Sequence, residues 1–161
     1  MKALIALGAN LGDRLTTLDS AVQLIEEAVG RVLAQSTWFE NPALALPGDD
    51  ASTLPSFLNG VIQVDTELDP EQVLSVLLEI ECELGRDRSR ERRKWAPREI
   101  DLDLLDYEQR QLVSQNLVLP HPLMHLRPFV LIPLCEVDPG WVHPILKKTA
   151  RELLEAIPAA T

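Results

Sequence analysis

The sequence predicts an α+β fold in which the order β-α-β-β-α-β builds a mostly antiparallel sheet with both helices on one face. Three observations carry this. Apolar runs of strand length recur along the first two thirds of the chain. Two stretches between them place apolar residues at spacings of three and four, the period of a helix. Gly, Pro or Asp stands at most junctions, where chains turn and helices begin or end.

Ala3–Gly8 is a short apolar run closed by glycine and reads as the first strand. Asn10–Asp13 is a turn able to cap a helix. Leu15, Leu18, Val22, Ile25 and Val29 form one stripe of that helix, and Gly30 is placed to end it as a C-cap. Arg31–Glu40 reads as one long strand. Asn41–Pro55, with three prolines and two adjacent aspartates, is a loop of the length that usually carries function. Phe57–Thr66 is the third strand, with Gly60 marking a bulge. Asp69-Pro70 opens the second helix as cap and first residue. Val73, Leu77, Ile80 and Leu84 are its inner face, and Gly85 its end. Glu99–Leu105 is the fourth strand, completing a ferredoxin-like core. Beyond it Tyr107–Gln111 turns a hairpin, Leu117–Leu119 is a short strand, and prolines break His121–Cys135 into short helical segments. Thr149-Ala150-Arg151-Glu152 is a capping box opening a terminal helix. No repeat or composition shift divides the chain, so residues 1–161 read as a single domain.

With 46% hydrophobic residues in 161, the chain has material for a real core. No apolar run approaches the length of a membrane span. The short N-terminal run, followed at once by Asn10, Asp13 and Arg14, lacks the pattern of a cleaved leader, so the reading is cytoplasmic with no membrane partner. Cys82 and Cys135 stand apart in apolar surroundings and read as reduced core thiols. The net charge of −10 argues against nucleic-acid binding. Its distribution is uneven. Arg86, Arg88, Arg90, Arg92, Arg93, Lys94 and Arg98 face only Asp87 and Glu91 within one segment of net charge +5. Such an island is either a solvated loop or a grip for a small polyanion such as a nucleoside triphosphate.

Directly after it comes Asp101-Leu102-Asp103. In a strand Ile100, Leu102 and Leu104 take one face and the two aspartates the other, their carboxylates about 6–7 Å apart along the chain. That is too far to share a proton, but suited to cations bridging to a phosphate chain. An amphipathic strand with its acids in water has the same pattern. The juxtaposition with the arginines favours phosphoryl transfer, which needs both positive charge and metal ligands. There is no Walker A sequence and no Gly-x-Gly-x-x-Gly. Gly8-Ala9-Asn10-Leu11-Gly12 lacks the Lys-Ser/Thr of a phosphate loop and reads as a tight turn lining a pocket. His121 and His125, four apart, are separated by Pro122 and are not read as a metal pair.

Lys94-Trp95-Ala96-Pro97-Arg98-Glu99-Ile100-Asp101-Leu102-Asp103-Leu104-Leu105 resembles the signature of the hydroxymethyl-dihydropterin pyrophosphokinases. The likeness extends to Gly8-Ala9-Asn10, Phe57-Leu58-Asn59, Ile80-Glu81, Gly85-Arg86-Asp87-Arg88, Pro120-His121-Pro122 and Arg127-Pro128-Phe129. It implies pyrophosphoryl transfer from ATP to 6-hydroxymethyl-7,8-dihydropterin, with ATP as co-substrate and two Mg2+ ions held by Asp101 and Asp103. It implies catalytic roles for Arg86 and Arg98 beside the aspartates, and ATP contacts from Arg88, Lys94, Trp95, Arg98, Leu104, His121 and Arg127. For the pterin it implies stacking by Phe57 and Phe129, hydrogen bonding by Asn59, and pocket walls from Gly8, Asn41, Pro42, Ala43, Leu44 and Trp95. It also implies that Trp95 closes over the active site. The seven like charges of Arg86–Arg98 repel one another, so that segment is expected to be poorly ordered without ligand and to close as a lid when ATP and magnesium bind. Read without the likeness, Phe57 and Phe129 are ordinary core residues. Phe57, Asn41, Ala96, Asn116 and Val118 depart from residues frequent in the family, and none of these departures removes a metal ligand. The expected partners are small molecules only, and the expected state is a monomer. The competing class is a non-catalytic ferredoxin-like module, either a sensor or an RNA binder; the first strand lacks the exposed aromatics an RNA-binding sheet uses.

Overall fold

A computed structural model describes residues 1–9, 14–41, 57–84 and 100–157. β1 (Lys2–Ala9) leads into α1 (Arg14–Ala28), β2 (Gly30–Gln35), β3 (Phe39–Asn41) and β4 (Phe57–Thr66). α2 (Pro70–Glu83) and β5 (Ile100–Tyr107) follow. The main sheet runs β2-β4-β1-β5, with β3 also on β4. The β1–β4, β1–β5, β2–β4 and β3–β4 pairings are all antiparallel. This is the predicted ferredoxin-like core, and α1 and α2 cover one face as expected. Leu18 and Ile25 of α1 and Val73, Leu77 and Ile80 of α2 pack on Ile5, Leu7, Ile62, Val64, Ile100, Leu102 and Leu104.

The other face has its own cover. Leu4, Val61 and Leu105 meet Val130, Leu131 and Leu134 of α3 (Pro128–Val137), Leu153 of α4 (Ala150–Ala156) and Trp141. The sheet therefore has helices on both sides.

Local chemistry explains most boundaries. Asp69 caps α2 by accepting the Gln72 N–H at 2.8 Å while Gln72 accepts the Asp69 N–H at 2.9 Å. Thr149 and Glu152 cap α4 in the same way. Several details differ from expectation. Arg31–Glu40 is two strands, because at Ser36 the side chain accepts the Val61 N–H and the chain leaves the ladder. Gly30 is the first residue of β2 rather than a left-handed cap. A Cβ there would collide with the Asp65 carbonyl, so the glycine serves a close strand approach. Gly60 is no bulge, since the β1–β4 register is unbroken through it. It makes room for Trp38, whose Cε3 lies 2.5 Å from where a Cβ would be. Leu15 is exposed, and Ala21 takes a place on the buried face of α1.

Glu108 and Gln109 turn with positive φ after β5, yet the hairpin lies further on, between β6 (Leu112–Val113) and β7 (Val118–Leu119). A short 3-10 turn spans Met124–Leu126. α3 runs unbroken through Pro133, which is buried in the core. Cys82 is exposed on α2 and Cys135 is half-buried, so neither is the core thiol expected, although both are free.

β5 contains the sheet's irregularity. Leu4 pairs with Asp106 and Ile5 with Leu104, leaving Leu105 as the extra residue of a bulge. Asp106, only 3% exposed, is brought toward Trp141 and Asp138. Burial raises its carboxyl from 3.8 to about 6, against the Gln109 N–H and the Trp141 indole, which favour the charge. Because the folded pKa lies above the unfolded one, the stability linked to this proton is complete below about pH 4 and lost as pH rises through 6. Asp106→Asn should remove that loss. Its stability relative to wild type should grow from pH 4 to pH 8 by about 2 kcal/mol in chemical denaturation. A difference that does not vary with pH would exclude Asp106 as its source.

Candidate active site

Strand register assembles the site. Gly8 of β1 lies beside Asn59 of β4 on one side and Asp101 of β5 on the other. Phe39 of β3 lies beside Asn59, so Phe39, Asn59, Gly8 and Asp101 form one row across the sheet. Asp103 sits one step along the same face, beside Ala6. The alternation predicted for β5 holds: Ile100, Leu102 and Leu104 are buried, and Asp101 and Asp103 are half-buried on the opposite face. Two strand spacings separate Asn59 from Asp101, roughly 10 Å between Cα atoms.

The middle of the row is almost without side chains. A Cβ on Gly8 would stand 2.7 Å from Asn59 Nδ2, so only glycine leaves that amide in place. Asn59 is 9% exposed, and among the described residues its Oδ1 has no hydrogen-bond partner. A buried amide oxygen left unpaired costs about 1–3 kcal/mol, a cost that a ligand donor would remove. Phe57, two residues before Asn59 on β4, shares its face and is half-buried.

The segment after β7 closes one side. The His121 N–H donates to Leu105 O at 2.9 Å, tying the segment to β5. His121 Nδ1 accepts the Leu123 N–H at 3.2 Å, which leaves Nε2 to carry the ring proton. Burial holds this imidazole below 6.5; Asp103 opposes that shift and Arg127 reinforces it. His121 thus lies within electrostatic reach of both Asp103 and Arg127. Arg127 precedes α3, its guanidinium carbon 5.8 Å from the ring centre of Phe129. Phe129 is half-buried against the same core cluster on which Ala6 packs.

The structure therefore brings together Gly8, Phe57, Asn59, Asp101, Asp103, His121, Arg127 and Phe129. Asn41 ends β3 beside Phe57. The side chain of Leu104 lies in the core at 3% exposure, so only its backbone is left to meet a ligand. Arg86, Arg88, Lys94, Trp95, Arg98, Pro42, Ala43 and Leu44 lie outside the described residues, as does the Arg86–Arg98 closure. One residue of the site was passed over by the apolar stripe of α2. Glu81 is buried, and its Oε2 accepts the N–H of Leu102, between the two aspartates, at 2.8 Å. The signal was its position four after Leu77, on the inward face.

Among the described residues no three His, Cys, Asp or Glu side chains group as a metal cage. Two half-buried carboxylates with hard oxygen donors instead match the way Mg2+ is held, by one or two carboxylates together with substrate phosphates.

The family model for 7,8-dihydro-6-hydroxymethylpterin-pyrophosphokinase (HPPK) matches residues 4–139. The chain is 41% identical over 154 residues to a 2-amino-4-hydroxy-6-hydroxymethyldihydropteridine pyrophosphokinase of Methylorubrum extorquens, covering 95% of this chain and 91% of that one. It is 38% identical over 156 residues to the protein of that name from Synechocystis sp., covering 96% and 75%. Among solved structures it resembles an HPPK-DHPS in complex with substrates, with a TM-score of 0.75 at 14% identity. That likeness concerns the fold, and it covers 96% of this chain and 43% of the other.

Proposed function

We propose, on the premise that this chain belongs to the 7,8-dihydro-6-hydroxymethylpterin-pyrophosphokinase family, a division of labour among its residues. The activity is transfer of pyrophosphate from ATP to the hydroxymethyl group of the dihydropterin, a step of folate synthesis that yields AMP and the pterin diphosphate. The observation that carries the proposal is the row joining Asn59, Gly8 and Asp101 on one face of the sheet.

The flat pterin lies over Gly8, which carries no side chain of its own, and gives a donor to Asn59 Oδ1. Phe57 and Phe129 hold its faces, and Asn41–Leu44 completes its edge. This directs the hydroxymethyl group toward Asp101. The hydroxyl oxygen attacks the β-phosphorus of ATP, and the bond from that phosphorus to the α-phosphate oxygen breaks, releasing AMP. Asp101 and Asp103 would hold two Mg2+ ions, which when bound neutralise phosphate charge and make the hydroxyl more acidic. His121 donates from Nε2 to phosphate and Arg127 adds positive charge. Arg86, Arg88, Lys94 and Arg98 grip the triphosphate, Trp95 covers the site, and the Leu104 backbone meets the nucleotide. Positioning and charge carry most of the rate.

Among the described residues no helix is long and apolar enough to cross a membrane. The acidic net charge supports our reading that the partners are small molecules and not nucleic acid. We propose further that the enzyme is a cytoplasmic, monomeric, single-domain protein. Incubation with ATP, Mg2+ and the pterin alcohol should release AMP and the pterin diphosphate in equal amounts. AMP formed independently of the pterin would refute the acceptor.

Phe57→Ala and Phe129→Ala should each weaken pterin binding by about 1–3 kcal/mol through lost stacking and burial. ATP binding, measured by calorimetry, should change little. Equal losses for both ligands would make these rings core residues rather than pocket walls.

A further inference from the structure

β5 stands at the edge of the main sheet, hydrogen-bonded along one side to β1. Edge strands bulge readily, and β5 already does so at Leu105, two residues beyond Asp103. A one-residue irregularity at Leu102 would be far more damaging. Side chains alternate faces, so a slip between Asp101 and Asp103 would send the two carboxylates to opposite sides of the sheet. The N–H of Leu102 points away from β1, and Glu81 of α2 accepts it at 2.8 Å. Glu81 is 3% exposed and sits on the helix face that also carries Leu77 and Ile80. A buried carboxylate is a demanding choice for a core-facing helix position. Here it reaches the backbone group that lies between the two aspartates.

We infer that Glu81 is a positioning residue for the aspartate pair: by fixing the edge of β5 at Leu102, it keeps Asp101 and Asp103 on one face at the spacing needed to hold cations. The inference rests on the reading that these aspartates bind metal. It also requires that an acceptor, rather than a negative charge, is what position 81 supplies. Gln supplies an acceptor of nearly the same reach, whereas Met fills the volume without one.

The test uses the full chain and three readouts. These are amide exchange at Leu102 by NMR, Mn2+ binding in the presence of a non-hydrolysable ATP analogue by electron paramagnetic resonance, and steady-state kinetics. In Glu81→Met the Leu102 amide should exchange faster. Mn2+ binding and kcat should each fall about 10–100-fold, as for other groups that orient metal ligands, with the KM for pterin unchanged. Glu81→Gln should restore all three to near wild type. Mn2+ binding in Glu81→Met equal to wild type would overturn the inference. So would a Glu81→Gln enzyme that folds but binds Mn2+ as poorly as Glu81→Met. If Glu81→Met does not fold, Glu81→Gln decides alone: wild-type Mn2+ binding and Leu102 protection support the inference, and loss of either overturns it. Asp101→Ala, measured alongside, should lose Mn2+ outright. Retention there overturns the metal reading itself, whereas loss there with unaffected Glu81→Met removes only the role of Glu81.

Discussion

Replacing Asp101 or Asp103 with alanine should lower kcat by about two to three orders of magnitude, the scale seen when a preorganised charge-stabilising group is removed. The protein should remain folded. Two carboxylates on one strand face repel each other when no cation lies between them, so deleting either relieves strain in the ligand-free state. Thermal unfolding without Mg2+ should therefore show a melting temperature equal to or above that of wild type, while turnover collapses at every Mg2+ concentration. Separation of the two readouts matters. A variant that loses activity and stability together would point to a structural role for the acid. Full activity in either variant would remove the pair from the mechanism.

Asn59→Ala is expected to weaken pterin binding by about 2–3 kcal/mol, or roughly 30- to 150-fold, because a buried hydrogen bond to the ring edge disappears and the ligand's own donor is left unpaired. ATP binding should be nearly unchanged, since Asn59 lies two strands away from Asp101. Gly8→Ala should reproduce much of this selective loss by a different route. Its new Cβ would press on Asn59 Nδ2, 2.7 Å away, and also raise the floor of the pocket. Calorimetric titration of each ligand separates these effects from general destabilisation. An equal decline for ATP and pterin would show that the row is structural.

Much of the fold could be read from the chain, because its main elements follow local rules. The alternation of Ile100, Leu102 and Leu104 against Asp101 and Asp103 is a property of any half-buried strand, and it held. The cap at Asp69 and the box at Thr149 depend on residues within one helical turn, and they held as well. The departures arise where distant chain segments meet. Gly30 and Gly60 were read as punctuation, but their shape requirements come from Asp65 and Trp38. Pro133 was read as a helix breaker, yet packing on the sheet sustains α3 through it. The aspartates stood out as a motif because they are only two positions apart in sequence. The partnership of Asn59 with Gly8 did not, because only pairing of β1 with β4 creates it. Glu81 was visible as a residue but not as a hydrogen-bond acceptor, since its partner is a backbone group 21 positions later. For Leu104 the likeness suggested a nucleotide contact, and burial of the side chain confines any such contact to the main chain.

The row across the sheet also works as a ruler. In the proposed function Asn59, which recognises the acceptor, stands on β4 and the aspartates, which hold the metal, stand on β5, with β1 hydrogen-bonded between them. Their separation is thus two inter-strand spacings, a length set by backbone hydrogen bonding and nearly inelastic, at roughly 10 Å. Side-chain substitutions can alter the grip at either end but hardly the distance between the ends. Selectivity for acceptor length should consequently resist mutation even where affinity does not. A pterin whose hydroxyl is carried one methylene further out could dock its ring normally and still present its oxygen at the wrong place, acting as a competitive ligand instead of a substrate.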